Sequence, residues 1–220
     1  MFFAQRTLNP VRILTAIFCI AVLQGAFSTA LANKAFTLSN KVGTNQIQFT
    51  SKAPLEDIEG TASDISGTIT MDPAHPEKTT ARIDVKVSSM KTGIAKRDGH
   101  LYSDTWLDAE KYPTITFTVQ SISNVMQTKN EGGRMEFQGN AVGQFTMHGV
   151  TKNLTIPVKI TYMKESDKTR DRAPGDLVLV QGEFDIALKD FNIAGSKGMV
   201  GSKVGETIKI KANFFSSNGL

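Results

Sequence analysis

Apolar and polar residues alternate along most of the chain from Phe36 onward. Ala81, Ile83, Val85 and Val87 are apolar, and Arg82, Asp84, Lys86 and Ser88 between them are polar. A period of two puts the first set on one face of a strand and the second on the other, so this segment is predicted to be a strand with one buried face. The same rhythm runs through Phe36-Thr37-Leu38, Ile47-Gln48-Phe49, Ile65 to Met71, Ile115 to Val119, Ala141 to Met147 and Leu154 to Tyr162. It returns in Phe184, Ile186 and Leu188 and in Ile208, Ile210, Ala212 and Phe214. Breakers separate these runs: Asp72-Pro73 to Pro76, Glu131-Gly132-Gly133, and Arg172 to Asp176 around Pro174-Gly175. His148-Gly149 between two runs predicts a tight hairpin turn. Only the stretch from Ala95 to Lys111 loses alternation. There Asp104 is placed to cap a short helix running toward Lys111, which Tyr112-Pro113 would stop. The pattern therefore predicts an all-β domain of eight or nine antiparallel strands with one short helical insertion. A sheet of that size covers its apolar face by folding into a sandwich or by closing as a barrel, and periodicity does not choose between them.

The first 32 residues follow a different plan. Arg6 and Arg12 are their only charges, an apolar run extends from Ile13 to Phe27, and small residues end in Ala30-Leu31-Ala32. This is the three-part layout of a secretory signal peptide, with cleavage expected after Ala32. The apolar run is shorter than the ~20 residues a membrane span needs. Domains are thus expected at 1–32, a cleaved leader, and 33–220, one globular domain.

Removal of the leader changes the composition. Taking 32 residues with two arginines from 220 residues with 25 Lys+Arg leaves 188 residues with 23, against 21 Asp+Glu. The basic balance of the whole chain nearly vanishes, and with it the case for a nucleic-acid partner. The single cysteine, Cys19, also leaves, so no disulfide or cysteine-based zinc site is expected. His75, His100 and His148 are widely separated and show no metal-ligand spacing, so no metal is expected. The glycine-rich loop from Gly195 to Gly205 lacks the Lys-Ser or Lys-Thr of a phosphate-binding loop. It reads as a strand connector able to lie over a barrel mouth, and no cofactor is expected.

Three stretches carry a family resemblance. The first joins Met90-Lys91-Thr92-Gly93, Arg97-Asp98-Gly99-His100-Leu101 and Trp106-Leu107-Asp108-Ala109-Glu110-Lys111-Tyr112-Pro113. The second is Phe145-Thr146-Met147-His148-Gly149-Val150-Thr151-Lys152, and the third is Asp190-Phe191-Asn192-Ile193. In this combination and order the chain resembles the YceI-like family of polyisoprenoid-binding proteins, over roughly Phe36 to Phe214. The resemblance implies an eight-stranded, lipocalin-like antiparallel barrel around an apolar tunnel for isoprenoid chains or other long-chain amphiphiles. It also implies a periplasmic location, in keeping with the leader, and a homodimer, since members are often dimers. Two departures stand out. Ser51 to Gly60 replaces a more common histidine-containing stretch, and Gly99 stands where an acidic residue is more usual.

The apolar strand faces supply the candidate lining: Phe49, Ile83, Val85, Val87, Phe117, Phe145, Met147, Phe184, Ile186 and Leu188. Interiors are close-packed as a rule, so these residues alone favour side chains packed on one another. The resemblance turns them, with Leu101 and Trp106, into the wall of a tunnel that binds an isoprenoid or other long-chain lipid. Arg97 and His100 have two readings. In one they clamp a ligand head group with Asp98 orienting one of them; in the other Arg97 and Asp98 form a structural contact pinning the insertion, and His100 bonds backbone. The function expected is that of an exported carrier without catalytic residues, not membrane-spanning once mature. The alternative is an exported enzyme acting on a small amphiphile with Asp98 and His100.

Overall fold

The computed structural model describes Met1, Phe2 and residues 33–220. The leader and its cleavage site lie outside them. Ten strands form one antiparallel sheet: β1 Lys34–Leu38, β2 Gln46–Lys52, β3 Asp57–Ala62, β4 Ile65–Met71, β5 Thr80–Lys86, β6 Thr114–Glu131, β7 Arg134–Met147, β8 Val150–Met163, β9 Leu177–Ala187 and β10 Thr207–Ser217. Two short helices accompany them, α1 at Ala95–Tyr102 and α2 at Asp167–Arg170. All the strands and three apolar clusters lie within one compact unit that runs to Leu220.

The sheet closes on itself. Eight strands follow in the order β1-β4-β5-β6-β7-β8-β9-β10, and β10 returns to β1 through Thr37 opposite Ser217 and Leu38 opposite Ser216. This is the expected eight-stranded barrel, and closure leaves the ring without open edges. β10 is long enough to serve two partners on that side. Its C-terminal end holds β1, and its stretch from Ile208 to Asn213 pairs with β2, which carries β3. The β2–β3 hairpin therefore flares beside one end of the barrel, called here the upper end, while β1 seals the lower.

Alternation sets what faces inward. On β9 and β10, Phe184, Ile186, Ile208 and Ile210 line the bore, while Glu183, Lys209 and Lys211 point out and pair with Lys209 Nζ 3.1 Å and Lys211 Nζ 3.6 Å from Glu183. An apolar bore with a charged exterior is the reverse of a lipid-facing barrel. Among the described residues no helix is long and apolar enough to cross a membrane. At β7–β8, His148 at φ 51° and Gly149 at φ 73° make the predicted two-residue hairpin, with both residues in the left-handed conformation that such a turn needs.

Three details differ from the expected pattern. β3 begins inside the Ser51–Gly60 stretch and runs to Ala62; it gave no strand signal because two of its three buried positions, Gly60 and Ala62, are too small to stand out beside Ile58. β6 runs well past Val119, but its outer half is solvated on both faces and interrupted by register shifts between Ser123 and Met126 and between Gln127 and Lys129. The helix of the insertion precedes Asp104 instead of following it. α1 ends at Tyr102, and Ser103 adopts an extended conformation. The backbone N–H groups of Trp106 and Asp108 then both donate to Ser103 O, at 3.0 and 2.9 Å, so Asp104 sits in a turn and caps nothing.

Candidate functional site

The two ends of the barrel are filled differently. In the lower half, Phe36, Ile69, Met71, Phe137, Ile160 and Tyr162 pack solidly across the bore, with Phe36 and Tyr162 edge to face at 6.4 Å. Asp176 closes this end. It is buried and accepts from Tyr162 Oη at 2.7 Å, Lys34 Nζ at 2.5 Å and the Glu165 N–H at 2.8 Å. Burial pushes its carboxyl up, but these three donors outweigh burial and hold it below the ordinary aspartate value. Burial, then the hydrogen bond to Asp176, drives the Tyr162 phenol up in turn.

The upper half is hollow. A cavity of about 610 Å³ lies between β2, β3, β5–β7, β9 and β10 and the segments that cross the upper end. Phe214, the largest of the buried side chains that belong both to the cavity lining and to the lower cluster, stands with Ala62, Ile83 and Val85 where the two meet. Of the twelve side chains expected to line a tunnel, the structure places eleven on the wall of this cavity: Phe49, Ile83, Val85, Leu101, Trp106, Phe117, Phe145, Met147, Phe184, Ile186 and Leu188. Phe145 anchors the wall, with ring centroids of Phe117, Phe184 and Phe191 at 6.2, 6.1 and 5.5 Å. Val87 is the correction. β5 ends at Lys86, and a tight 3-10 turn over Val87–Ser89 breaks the alternation that would have aimed Val87 at the bore. Its N–H donates to Pro113 O at 2.9 Å, and its side chain, 1% exposed, packs within the wall.

Sequence reasoning passed over several lining residues. Ile47, Ile208, Ile210 and Phe214 belong to runs read as strands, and only a choice among inward positions omitted them. Met90, Ile193, Met199 and Val204 come from loops, where periodicity carries no signal. The glycine-rich connector does cross the upper end: Ser196, Met199, Lys203 and Val204 line the cavity. Gly195 is fixed there by conformation and space. Its φ is +65°, and a Cβ would lie 2.6 Å from Trp106 Cη2.

The charged residues of the insertion separate in the structure. Arg97 and His100 line the cavity opening, with Lys96, Glu56 and Lys203. Asp98 does not. It turns back from the cavity, 7% exposed, and its Oδ1 accepts from Thr92 N–H and Thr92 Oγ1, both at 2.7 Å. These Thr92 bonds, led by the hydroxyl, with Lys91 and Arg97 nearby, hold its carboxyl below the ordinary value. Arg97 makes no direct bond to Asp98. Its Nε donates to Thr92 Oγ1 at 3.0 Å, Nη2 to Thr92 O at 3.0 Å and Nη1 to Glu56 Oε1 at 2.6 Å. Thr92 thus couples the two, and Glu56 ties α1 to the β2–β3 hairpin across the opening. The expected Arg97–Asp98 contact is corrected to this relay. The His100 side chain is exposed at the rim; it is the His100 carbonyl that accepts from Ser103 N–H at 3.0 Å.

A groove of about 1250 Å³ on the outer surface is lined by Gln48, Gln138, Lys159, Gln181 and Glu183 among others. Gln48 and Glu183 are the outward partners of the cavity-facing positions, so the groove is the polar side of the sheet. Among the described residues no three His, Cys, Asp or Glu side chains gather as a metal ion would require.

Comparison with known proteins agrees with this architecture. Residues 38–215 match the model of the YceI-like domain. Protein YceI of Salmonella arizonae and that of Salmonella newport are each 33% identical over 152 residues, covering 69% of this chain and 72% of theirs. Among solved structures, BcnA of Burkholderia cenocepacia superposes with a TM-score of 0.63 at 20% identity, over 82% of this chain and 99% of BcnA. A polyisoprenoid binding domain from Saccharophagus degradans gives 0.61 at 16% identity, over 84% and 98%. The Campylobacter jejuni YceI protein gives 0.59 at 23%, over 74% and 86%. These structures share the fold.

Proposed function

We propose, from the premise that this chain belongs to the YceI-like family, that its barrel is a container for the apolar chain of an isoprenoid or other long-chain amphiphile. The observation that carries the reading is the cavity itself, about 610 Å³ walled by Phe, Ile, Leu, Val and Met, beneath an opening that bears Lys96, Arg97, His100 and Lys203. An apolar chain gains ~25 cal/mol per Å² buried in such a wall and needs no reacting group. Met and Phe let the wall adapt to methyl branches. The cationic rim suits an anionic or strongly polar head group left at the opening. The neighbour described as a polyisoprenoid binding domain supports this choice of cargo. The alternative of an enzyme using Asp98 and His100 loses its acid, because Asp98 faces Thr92 and not the cavity. Export by the leader to a periplasmic location is part of the same proposal.

The test is direct. Protein purified from an exporting bacterial host is analysed by native mass spectrometry, and extracted lipid is identified. In parallel, the chain's single tryptophan, Trp106, reports binding of prenyl phosphates and fatty acids, because it lines the cavity. A retained lipid and a saturable change in Trp106 emission are expected. A protein that carries no lipid and binds neither class of chain overturns the proposal.

A further inference from the structure

Large apolar side chains are exposed at only three places in the described residues away from their termini: Leu55 at 70%, Ile94 at 52% and Met126 at 57%. Two of the three stand at the cavity opening. Ile94 lines it directly, one residue before α1 begins. Leu55 is at the tip of the β2–β3 hairpin, next to Glu56, which also lines it. The Leu55 N–H donates to Ser202 O at 3.1 Å, and Glu56 holds Arg97 of α1 at 2.6 Å. Hairpin tip, helix start and glycine-rich connector are therefore fastened into one rim with Leu55 and Ile94 projecting from it.

The charge of this rim is biased. Of the charged side chains that line the cavity, Lys96, Arg97 and Lys203 are cationic and Glu56 alone is acidic, and Lys197 stands beside them on the connector. Glu56 and Asp98 are engaged by Arg97 and Lys91. Among the described residues, Lys96, Lys197 and Lys203 have no carboxylate within 4 Å. The acidic side chains of the turn beyond α1, Asp104, Asp108 and Glu110, do not line the cavity. Exposed aliphatic side chains among lysines are what binds a protein to the headgroup region of a bilayer, with apolar insertion and anionic lipid attraction adding together.

We propose that this rim docks on an anionic lipid bilayer, presenting the cavity opening to the membrane surface. Leu55 and Ile94 enter the headgroup boundary, and Lys96, Lys197 and Lys203 contact lipid phosphates. The orientation gives an apolar chain a path between bilayer and bore that avoids bulk water. This goes beyond the cargo reading, and its test needs no cargo, so the two succeed or fail separately.

The experiment uses the protein as purified from an exporting bacterial host, its fold checked by circular dichroism, and sedimentation with vesicles of phosphatidylcholine alone or mixed with phosphatidylglycerol. Wild type is expected to pellet with the mixed vesicles, and added salt is expected to release it. Leu55→Ser with Ile94→Ser, and separately Lys96→Glu with Lys203→Glu, are expected to weaken partitioning about tenfold or more. Met126→Ser, remote from the rim in sequence and absent from the cavity wall, is expected to leave it unchanged. A wild type that stays in the supernatant with both vesicles overturns the proposal. So does equal binding to neutral vesicles, double variants that bind like wild type, or a Met126→Ser loss as large as theirs.

Discussion

On the proposed function, the barrel measures the chain it holds. The bore is open for about 610 Å³ and meets the packed cluster of Phe36, Phe137 and Tyr162, and Phe214, which belongs to both, is the side chain placed to act as its floor. A methylene takes about the volume of a water molecule, ~30 Å³, so the cavity accepts roughly 20 chain carbons. Each buried methylene contributes about 0.8 kcal/mol, close to a fourfold gain in affinity per carbon, until the floor is reached. Among prenyl phosphates, affinity is therefore expected to climb from geranyl through farnesyl to geranylgeranyl and to level off beyond. Competition between chain lengths, read by native mass spectrometry on one protein sample, gives relative affinities without relying on the solubility of the longest chains. Phe214→Ala lowers the floor by one ring and should move the plateau out by about four carbons at equal packing density. That variant is expected to lose about 3 kcal/mol of stability, so the competition is run well below its melting temperature. Affinity that keeps rising at an undiminished slope to an octaprenyl chain, or a plateau that Phe214→Ala does not move, would refute the idea of a solid floor.

Other consequences concern the supports of the site. Asp98→Asn keeps the shape but weakens two short bonds to Thr92; a loss of about 1.5–3 kcal/mol is expected in urea unfolding, and a variant as stable as wild type would show the relay to be idle. Asp98 and Asp176 both have carboxyls held below the ordinary value when folded, so their stabilisation is complete above about pH 5 and is lost as pH falls below about 4 through their folded values. Urea midpoints should be flat from neutral to mildly acidic pH and then drop, with a smaller drop in Asp98→Asn; a midpoint unchanged into strong acid would contradict the assignment. Gly195→Ala forces a Cβ into the left-handed region and against Trp106, and should cost about 1–3 kcal/mol with a shift in Trp106 emission; unchanged emission would show that the connector does not rest on the indole.

How much of this was legible in the sequence depended on whether a residue's role was carried by its strand or by a tertiary neighbour. Ile83, Val85, Phe145 and Ile186 were placed correctly because a period of two fixes a face, and every inward position of a barrel meets the same bore. Val87 was misplaced by one turn of backbone: the rule holds only while the strand lasts, and a 3-10 turn after Lys86 looks no different in composition. β3 was invisible because Gly60 lies under the Phe49 ring, where a side chain would collide with Phe49 Cζ at 2.1 Å. The very closeness that makes this strand part of the wall removes the apolar residue that would have announced it.

The rim shows the same limit in its polar residues. Arg97, Asp98 and His100 were singled out together because they are adjacent in sequence, and adjacency on a helix is a poor guide to a shared direction: neighbours are turned about 100° apart. The structure assigns Asp98 to the fold and leaves Arg97 and His100 at the opening. It gives Arg97 its real partners, Thr92 five residues back and Glu56 forty-one residues back. Glu56 lies in the stretch that departs from the usual family pattern. The opening of this barrel is thus latched by an ion pair between the β2–β3 hairpin and α1. The apolar wall below it does not depend on that pair, because it is built from strand positions that the alternation fixes.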